Sequence, residues 1–230
     1  MKDNYEYLDG DKFKIDRNTG FGKVNKNRCL KYVLVGITPG TSESQEESKN
    51  SSDFGELSYK FRNAFCGPGM RSNLNEMFVY VNNTDKHKRK LQPLLDYCNG
   101  DVEKLFEYIK EKSIIDFTSL IKDATYKKKR DNSYQMFRTP KNINPKNNDL
   151  LKEFNDGFGE DYSRYYRKKG IIFIACGIEV YKFLSNYFQN EETLIGIVHP
   201  SGSANKYKNR FLGKSKPPYN PEYSVDKQSA

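Results

Sequence analysis

The apolar residues of this chain concentrate in four short, unbroken, largely β-branched runs rather than in alternating patterns. They are Tyr32 to Ile37 (YVLVGI), Ser113 to Ile121 (SIIDFTSLI), Ile171 to Ala175 (IIFIA) and Thr193 to Val198 (TLIGIV). Continuous hydrophobicity of this length predicts strands buried on both faces. Helical patterns fall between them: Arg71 to Val81, Asp101 to Lys112, Leu150 to Phe158 and Gly177 to Phe188. In the second of these, Val102, Leu105, Phe106 and Ile109 recur at helical spacing and form a packing stripe with no chemistry assigned to it. Strands alternating with helices predict an α/β fold, a three-layer α/β/α sandwich around a short, mainly parallel four-stranded sheet. The polar stretch Ser42 to Asp53 reads as a loop, and from about residue 214 the chain, with PPYNPEY from Pro217 to Tyr223, is expected to be irregular.

With 230 residues the length favours one domain, 1–230, burying about 70% of its unfolded surface. A chain with 17 Tyr and 15 Phe is too aromatic for disorder, although 30% of its residues are charged and its mean hydropathy is −0.89. No apolar stretch reaches the length of a membrane span, and Met1 to Gly10 has no signal-like apolar segment, so the expected setting is the cytoplasm. The four cysteines, Cys29, Cys66, Cys98 and Cys176, contain no CxxC pair, which leaves no zinc-ribbon or iron–sulfur spacing. Cys29 and Cys176 lie in apolar contexts and read as buried free thiols.

Charge is distributed unevenly. The window Lys122 to Lys146 holds eight Lys/Arg against two Asp, and Lys206 to Lys216 holds five against none, so these two windows exceed the net +9 of the whole chain. Thr41 to Glu56 is correspondingly acidic, with five acids and one Lys. Basic windows interleaved with Tyr and Phe are the footprint of a nucleic-acid binder, and a merely soluble basic surface is the competing reading.

In a parallel sheet, ligands bind beyond the carboxyl ends of the strands. Two loops stand there: Gly36-Ile37-Thr38-Pro39-Gly40 after the first strand and His199-Pro200-Ser201-Gly202-Ser203 after the last. Alone, each is an ordinary turn. Together, in this order, they resemble the first and second motifs of the uracil-DNA glycosylase superfamily, a G-x-x-P-G type loop and an H-P-S or N-P-S loop. Three further segments are similar to that superfamily, closest to its family-four and mismatch-specific types. Asn63 to Met77 (NAFCGPGMRSNLNEM) resembles the aromatic-then-glycine segment, Thr118 to Lys122 (TSLIK) the T-N-V-V-K strand, and Ile171 to Leu184 the strand-glycine-helix unit.

The resemblance implies a monofunctional DNA glycosylase that hydrolyses the N-glycosidic bond of a flipped base and leaves an abasic site. Such a reaction forms an oxocarbenium-like sugar and a departing base anion, so the site must stabilise negative charge and position a water. His199 is implied as the donor to the leaving base, with a strand-terminating His as the bland alternative. The other histidine, His87 in DKHKRK, reads as a solvated surface residue. The superfamily's acidic or amide group in the first loop is replaced here by Ile37 and Thr38. Glu43 is the candidate general base and Thr38 can hold the water, while Glu43 as a helix-N-terminal acid is the alternative.

The base pocket implied by the resemblance comprises Gly36, Ile37, Pro39, Gly40, Phe65 and Ser119. Phe65 is the stacking aromatic or a core Phe. Ser119 stands where uracil enzymes carry an edge-reading Asn, which points to a substrate other than plain uracil, such as a modified cytosine of phage DNA; uracil is the conservative alternative. DNA, single- or double-stranded, is the expected partner. It is held by Ser201, Gly202, Ser203, Asn205, Lys206 and Tyr207, with a wedge among the last three, and by Lys127, Lys128, Lys129 and Arg130 in a basic insert at about 122–148. No cofactor or metal is expected, and the chain is expected to act as a monomer. Two rivals stand beside this reading: a catalytically inactive DNA-binding protein of the same fold, and a nucleotide-handling α/β enzyme that uses Gly36 to Gly40 as an anion loop.

Overall fold

A computed structural model of the chain describes residues 5–9, 12–15, 29–37, 65, 69–106, 114–120, 124–128, 134–136, 159, 170–188, 193–201 and 205–214, with the backbone alone for 5–9, 12–15, 124–128, 134–136 and 205–206. The four apolar runs form one parallel sheet. Its strands are β3 (Tyr32–Gly36), β4 (Ile115–Ser119), β7 (Ile172–Cys176) and β8 (Leu194–Ile197), ordered β4-β3-β7-β8. The register sets Gly36 opposite Ser119, Val35 opposite both Thr118 and Ala175, and Cys176 opposite Ile197. All four strands therefore end at one edge.

Both faces of the sheet are covered, as unbroken hydrophobicity requires. On one face Tyr32, Leu34, Ile115, Phe117, Ile174 and Ile195 pack with helix α1 (Met70–Asn82), through Leu74, Met77, Phe78 and Val81, and with α2 (Gln92–Cys98) through Leu94. On the other, Val33, Val35, Phe173 and Ala175 meet Val180, Phe183 and Leu184 of α3 (Ile178–Tyr187). This is the expected α/β/α layering, and α4 (Asn205–Phe211) adds Phe211 to the α1 side.

The order β4-β3-β7-β8 contains a reversal of direction. The chain steps outward from β3 to β4, returns past β3 to β7, and continues outward to β8. Adjacent strands whose connections diverge leave a crevice at their carboxyl ends. Here those strands are β3 and β7, ending at Gly36 and Cys176.

A second sheet was not anticipated from the apolar runs. The strands β1 (Tyr5–Asp9), β2 (Lys12–Ile15), β5 (Ala124–Lys128) and β6 (Tyr134–Met136) pair antiparallel in the order β1-β2-β5-β6. The basic insert thus supplies two strands, and the amino-terminal hairpin supplies the other two. Lys127 stands in register with Lys12 and Gln135, and Lys128 with Tyr134.

Other expectations are adjusted. Where Asp101 to Lys112 predicts a helix, the chain makes a 3₁₀ turn at Val102–Leu105, begun by Asp101 accepting from the Glu103 N–H. Residues 107–112 and the Leu150 to Phe158 helix lie outside the described residues. Cys29 is exposed, whereas Cys98 and Cys176 are buried thiols whose pKa values burial pushes up. His87 is not solvated: it is 3% exposed, tucked into the connection from α1 to α2, where its carbonyl accepts from Lys90 N–H at 2.9 Å. Its Lys-rich sequence context describes its neighbours and not the ring itself.

Candidate functional site

The carboxyl edge of the parallel sheet gathers residues from every core strand. Gly36 closes β3 and its carbonyl accepts from Leu120 N–H at 3.0 Å, which carries the β3–β4 ladder one residue past Ser119. Ser119 is 2% exposed. A Cβ added at Gly36 would meet only the Thr118 carbonyl, at 3.9 Å.

The second loop is braced from the strand beside it. Gly177 follows β7 with φ 107° and ψ 148°, a conformation that side-chain-bearing residues avoid. That turn lets α3 start at once, and it directs the Gly177 N–H to the Ile197 carbonyl at 2.8 Å, two residues before His199. A Cβ at Gly177 would lie 3.9 Å from the Cβ of His199, so the two positions are neighbours.

His199 makes its polar contacts within its own turn. Its Nδ1 lies 2.9 Å from Ser201 Oγ and 3.3 Å from Ser201 N. A backbone N–H only donates, so Nδ1 must accept, which places the proton of the neutral ring on Nε2. Protonating Nδ1 would turn it against that N–H. Desolvation by the surrounding protein holds the His199 pKa below its ordinary value, although the residue is exposed at the surface of the turn. The result is a neutral imidazole that offers an Nε2–H, a state suited to donating toward a developing anion.

The turn is also tied to the opposite helix. Asn73, in the first turn and a half of α1 and 8% exposed, donates from Nδ2 to the Pro200 carbonyl at 2.7 Å and accepts at Oδ1 from Lys208 Nζ of α4. Lys208 in turn pairs with Glu76 at 3.3 Å, and Lys214 with the same carboxylate at 3.2 Å. Their cations, Lys214 first, hold the Glu76 carboxyl below the usual range. Two of the five cations in the Lys206 to Lys216 window thus face an acid.

α1 begins at this edge, because Asn73 reaches Pro200; it ends at the other, where the Tyr32 hydroxyl at the start of β3 donates to the Lys90 carbonyl at 2.9 Å. α3 also begins at this edge, so the positive ends of two helix dipoles favour an anion there.

Phe65 is half-buried with φ 54°, in the left-handed region that a bulky residue occupies only when its surroundings enforce it. Its ring lies 6.1 Å from that of Phe117, which stacks on Phe106 at 5.0 Å. The Arg71 guanidinium covers Phe106 at 4.0 Å and pairs with Glu103. Phe65 is therefore the outer member of an aromatic ladder on the α1 face. Phe117 and Ser119 are alternate residues of β4 and share that face.

The structure thus brings Gly36, Ile37, Ser119, His199 and Ser201 to the ends of the parallel strands, with Phe65 on the α1 face. Thr38, Pro39, Gly40, Glu43, Gly202, Ser203, Lys129 and Arg130 lie outside the described residues, and Lys127, Lys128, Asn205 and Lys206 are placed by backbone only. Tyr207 packs against the core beside α1, so among the wedge candidates its ring is engaged in packing. Asn73 and Lys208 were not singled out from the sequence, and Gly177 entered only as the glycine of the strand-glycine-helix unit. A glycine between an apolar run and a helix is the one signal that marks Gly177; Asn73 has none. Among the described residues no group of His, Cys, Asp or Glu is arranged to hold a metal, and no helix is long and apolar enough to cross a membrane. In comparisons with protein-family models, curated proteins and solved structures, nothing matches this chain.

Proposed function

We propose that this protein is a monofunctional DNA glycosylase with an altered base pocket. The observation that carries the reading is the neutral His199 held as an Nε2–H donor, on the loop beside Gly177 and the β3–β7 crevice. As the bond from the base nitrogen to C1′ breaks, its electron pair goes to the base, and His199 Nε2–H donates to the base oxygen where that charge gathers. A water adds to C1′ and its proton passes to a general base, for which Glu43 is the candidate. The products are a free base and an abasic site. The dipoles of α1 and α3 act in the same direction, since they stabilise the departing anion.

Phe65 supplies a ring for a flipped base, and Ser119 borders Gly36 at the pocket edge with a hydroxyl instead of an amide. The reduced edge reading favours a modified base, with uracil as the conservative substrate. Lys127 and Lys128 of β5, with Lys206 of α4, would hold the phosphates of DNA.

Two helix dipoles aimed at one edge also suit a phosphate, so a nucleotide-handling enzyme is the second reading. One experiment separates them. The protein is incubated with DNAs containing uracil, other deaminated bases or modified cytosines, then treated with alkali, and mononucleotide binding is measured alongside. Strand cleavage at one kind of base supports the glycosylase. Mononucleotide binding without abasic sites on any substrate overturns it.

A further inference from the structure

Among its contacts, Asn73 meets two groups of opposite character. Pro200 presents only a carbonyl acceptor, and the Lys208 ammonium only donates. The side-chain amide must therefore turn its NH₂ to Pro200 and its oxygen to Lys208, as observed. Asn meets both because its donor and acceptor sit on separate atoms; Asp has no proton to give Pro200, and Leu satisfies neither. Burial raises the cost of leaving the Pro200 carbonyl unmet.

The Pro200 carbonyl lies one residue from His199, whose ring is oriented by Ser201. Gly177 secures the strand before this turn, and Asn73 secures the turn itself. Lys208 sits on α4, the helix that carries Asn205, Lys206 and Tyr207. We propose that Asn73 is a positioning residue that locks the His199–Ser201 turn to α1 and α4 and so fixes the line along which His199 Nε2–H donates. The coupling to rate rests on the glycosylase reading; the effect on the ring does not.

The test uses this contrast. The chain has two histidines, and ring ¹⁵N–¹H spectra assign His199 by the signal lost in His199→Gln. In the unmodified protein, His199 is expected in the Nε2–H tautomer, with the Asn73 side-chain amide slow to exchange with water. Asn73→Asp keeps a partner for Lys208 and removes the donor to Pro200. It should move His199 toward a mixture of tautomers and raise its pKa toward the ordinary value, as should Asn73→Ala. Lys208→Met leaves the Pro200 bond in place and should preserve the tautomer.

In the excision assay, Asn73→Asp should lower kcat by about 10-fold or more with KM changed by less than about twofold. An unshifted His199 in Asn73→Asp, or an equal shift in Lys208→Met, overturns the proposal. If a variant does not fold, rapid exchange of the Asn73 amide in the unmodified protein overturns it and slow exchange upholds it. Absence of abasic sites with the unmodified protein would sink the glycosylase reading and leave the tautomer result to decide this one.

Discussion

Asn73 Nδ2 donates to the Pro200 carbonyl at 2.7 Å, a contact between residues 127 positions apart. The sheet order makes it possible. β8 lies two strands from β3, and α1 crosses their common face, so its first turns meet the loop that leaves β8. The loop carrying His199 is thereby held by a helix on one side and by Gly177 on the other.

If His199 stabilises the leaving group, its value lies in the transition state and not in binding. His199→Ala should lower the excision rate on the order of 10² to 10³ while DNA affinity stays near that of the unmodified protein. Because the ring must be neutral to keep Nδ1 as an acceptor, the rate should hold from pH 8 down to the ordinary histidine range and fall only at lower pH. Single-turnover kinetics across pH check both. Near-normal turnover in the variant removes His199 from the mechanism.

Stability should depend on pH through His87. Burial, with Lys90 and Lys86 adding to it, lowers its pKa from 6.5 to about 4. The unfolded chain therefore binds a proton between pH 6.5 and 4 that the folded chain refuses. Stability is full above pH 6.5 and declines as pH falls toward 4, by up to roughly 3 kcal/mol for this one group. His199 shifts in the same direction and adds to the slope. Denaturant melts of the unmodified protein and His87→Gln between pH 7 and 4 should show a flatter dependence in the variant. Parallel curves would contradict the assignment.

The two glycines at the edge should respond differently. Gly177 needs its positive φ, so Gly177→Ala should cost about 1–3 kcal/mol in unfolding free energy. Nothing in the described fold demands glycine at Gly36, where a methyl group meets only a carbonyl at 3.9 Å. Gly36→Ala should leave the melting curve within about 0.5 kcal/mol of the original, and it should weaken excision if substrate approaches the backbone there. A strongly destabilised Gly36→Ala would show that the glycine serves the fold.

The parallel sheet was legible because unbroken apolar runs have few uses other than strands covered on both faces. Tyr32–Gly36 and Ile172–Cys176 emerged within a residue or two of expectation. The antiparallel sheet was not, although Asp9-Gly10, where YEYLD gives way to DKFKI, is a hairpin signal. Its strands are short and half polar, and β2 finds β5 more than a hundred residues away. Local pattern reported the loops that carry Gly36 and His199. It could not report Asn73 or the burial of His87, because both follow from which distant elements pack together.

Ser119 gives the sharpest test of substrate choice. It is buried at the end of β4 and in register with Gly36, one strand from the β3–β7 crevice. A hydroxyl donates and accepts through one short, freely rotating atom, where an amide holds a donor and an acceptor on separate atoms in a fixed pattern, so discrimination of uracil from cytosine should be weak and room for a bulkier base greater. Ser119→Asn should move activity toward uracil and away from larger bases. Placing a larger side chain in a closed position should also cost about 1–3 kcal/mol of stability, which a melt records separately from activity. Both rates are to be measured on uracil and modified-cytosine DNA in the two proteins. Exclusive and robust uracil excision by the unmodified protein would sink the altered pocket and leave Ser119 as a residue that fills space beside Gly36.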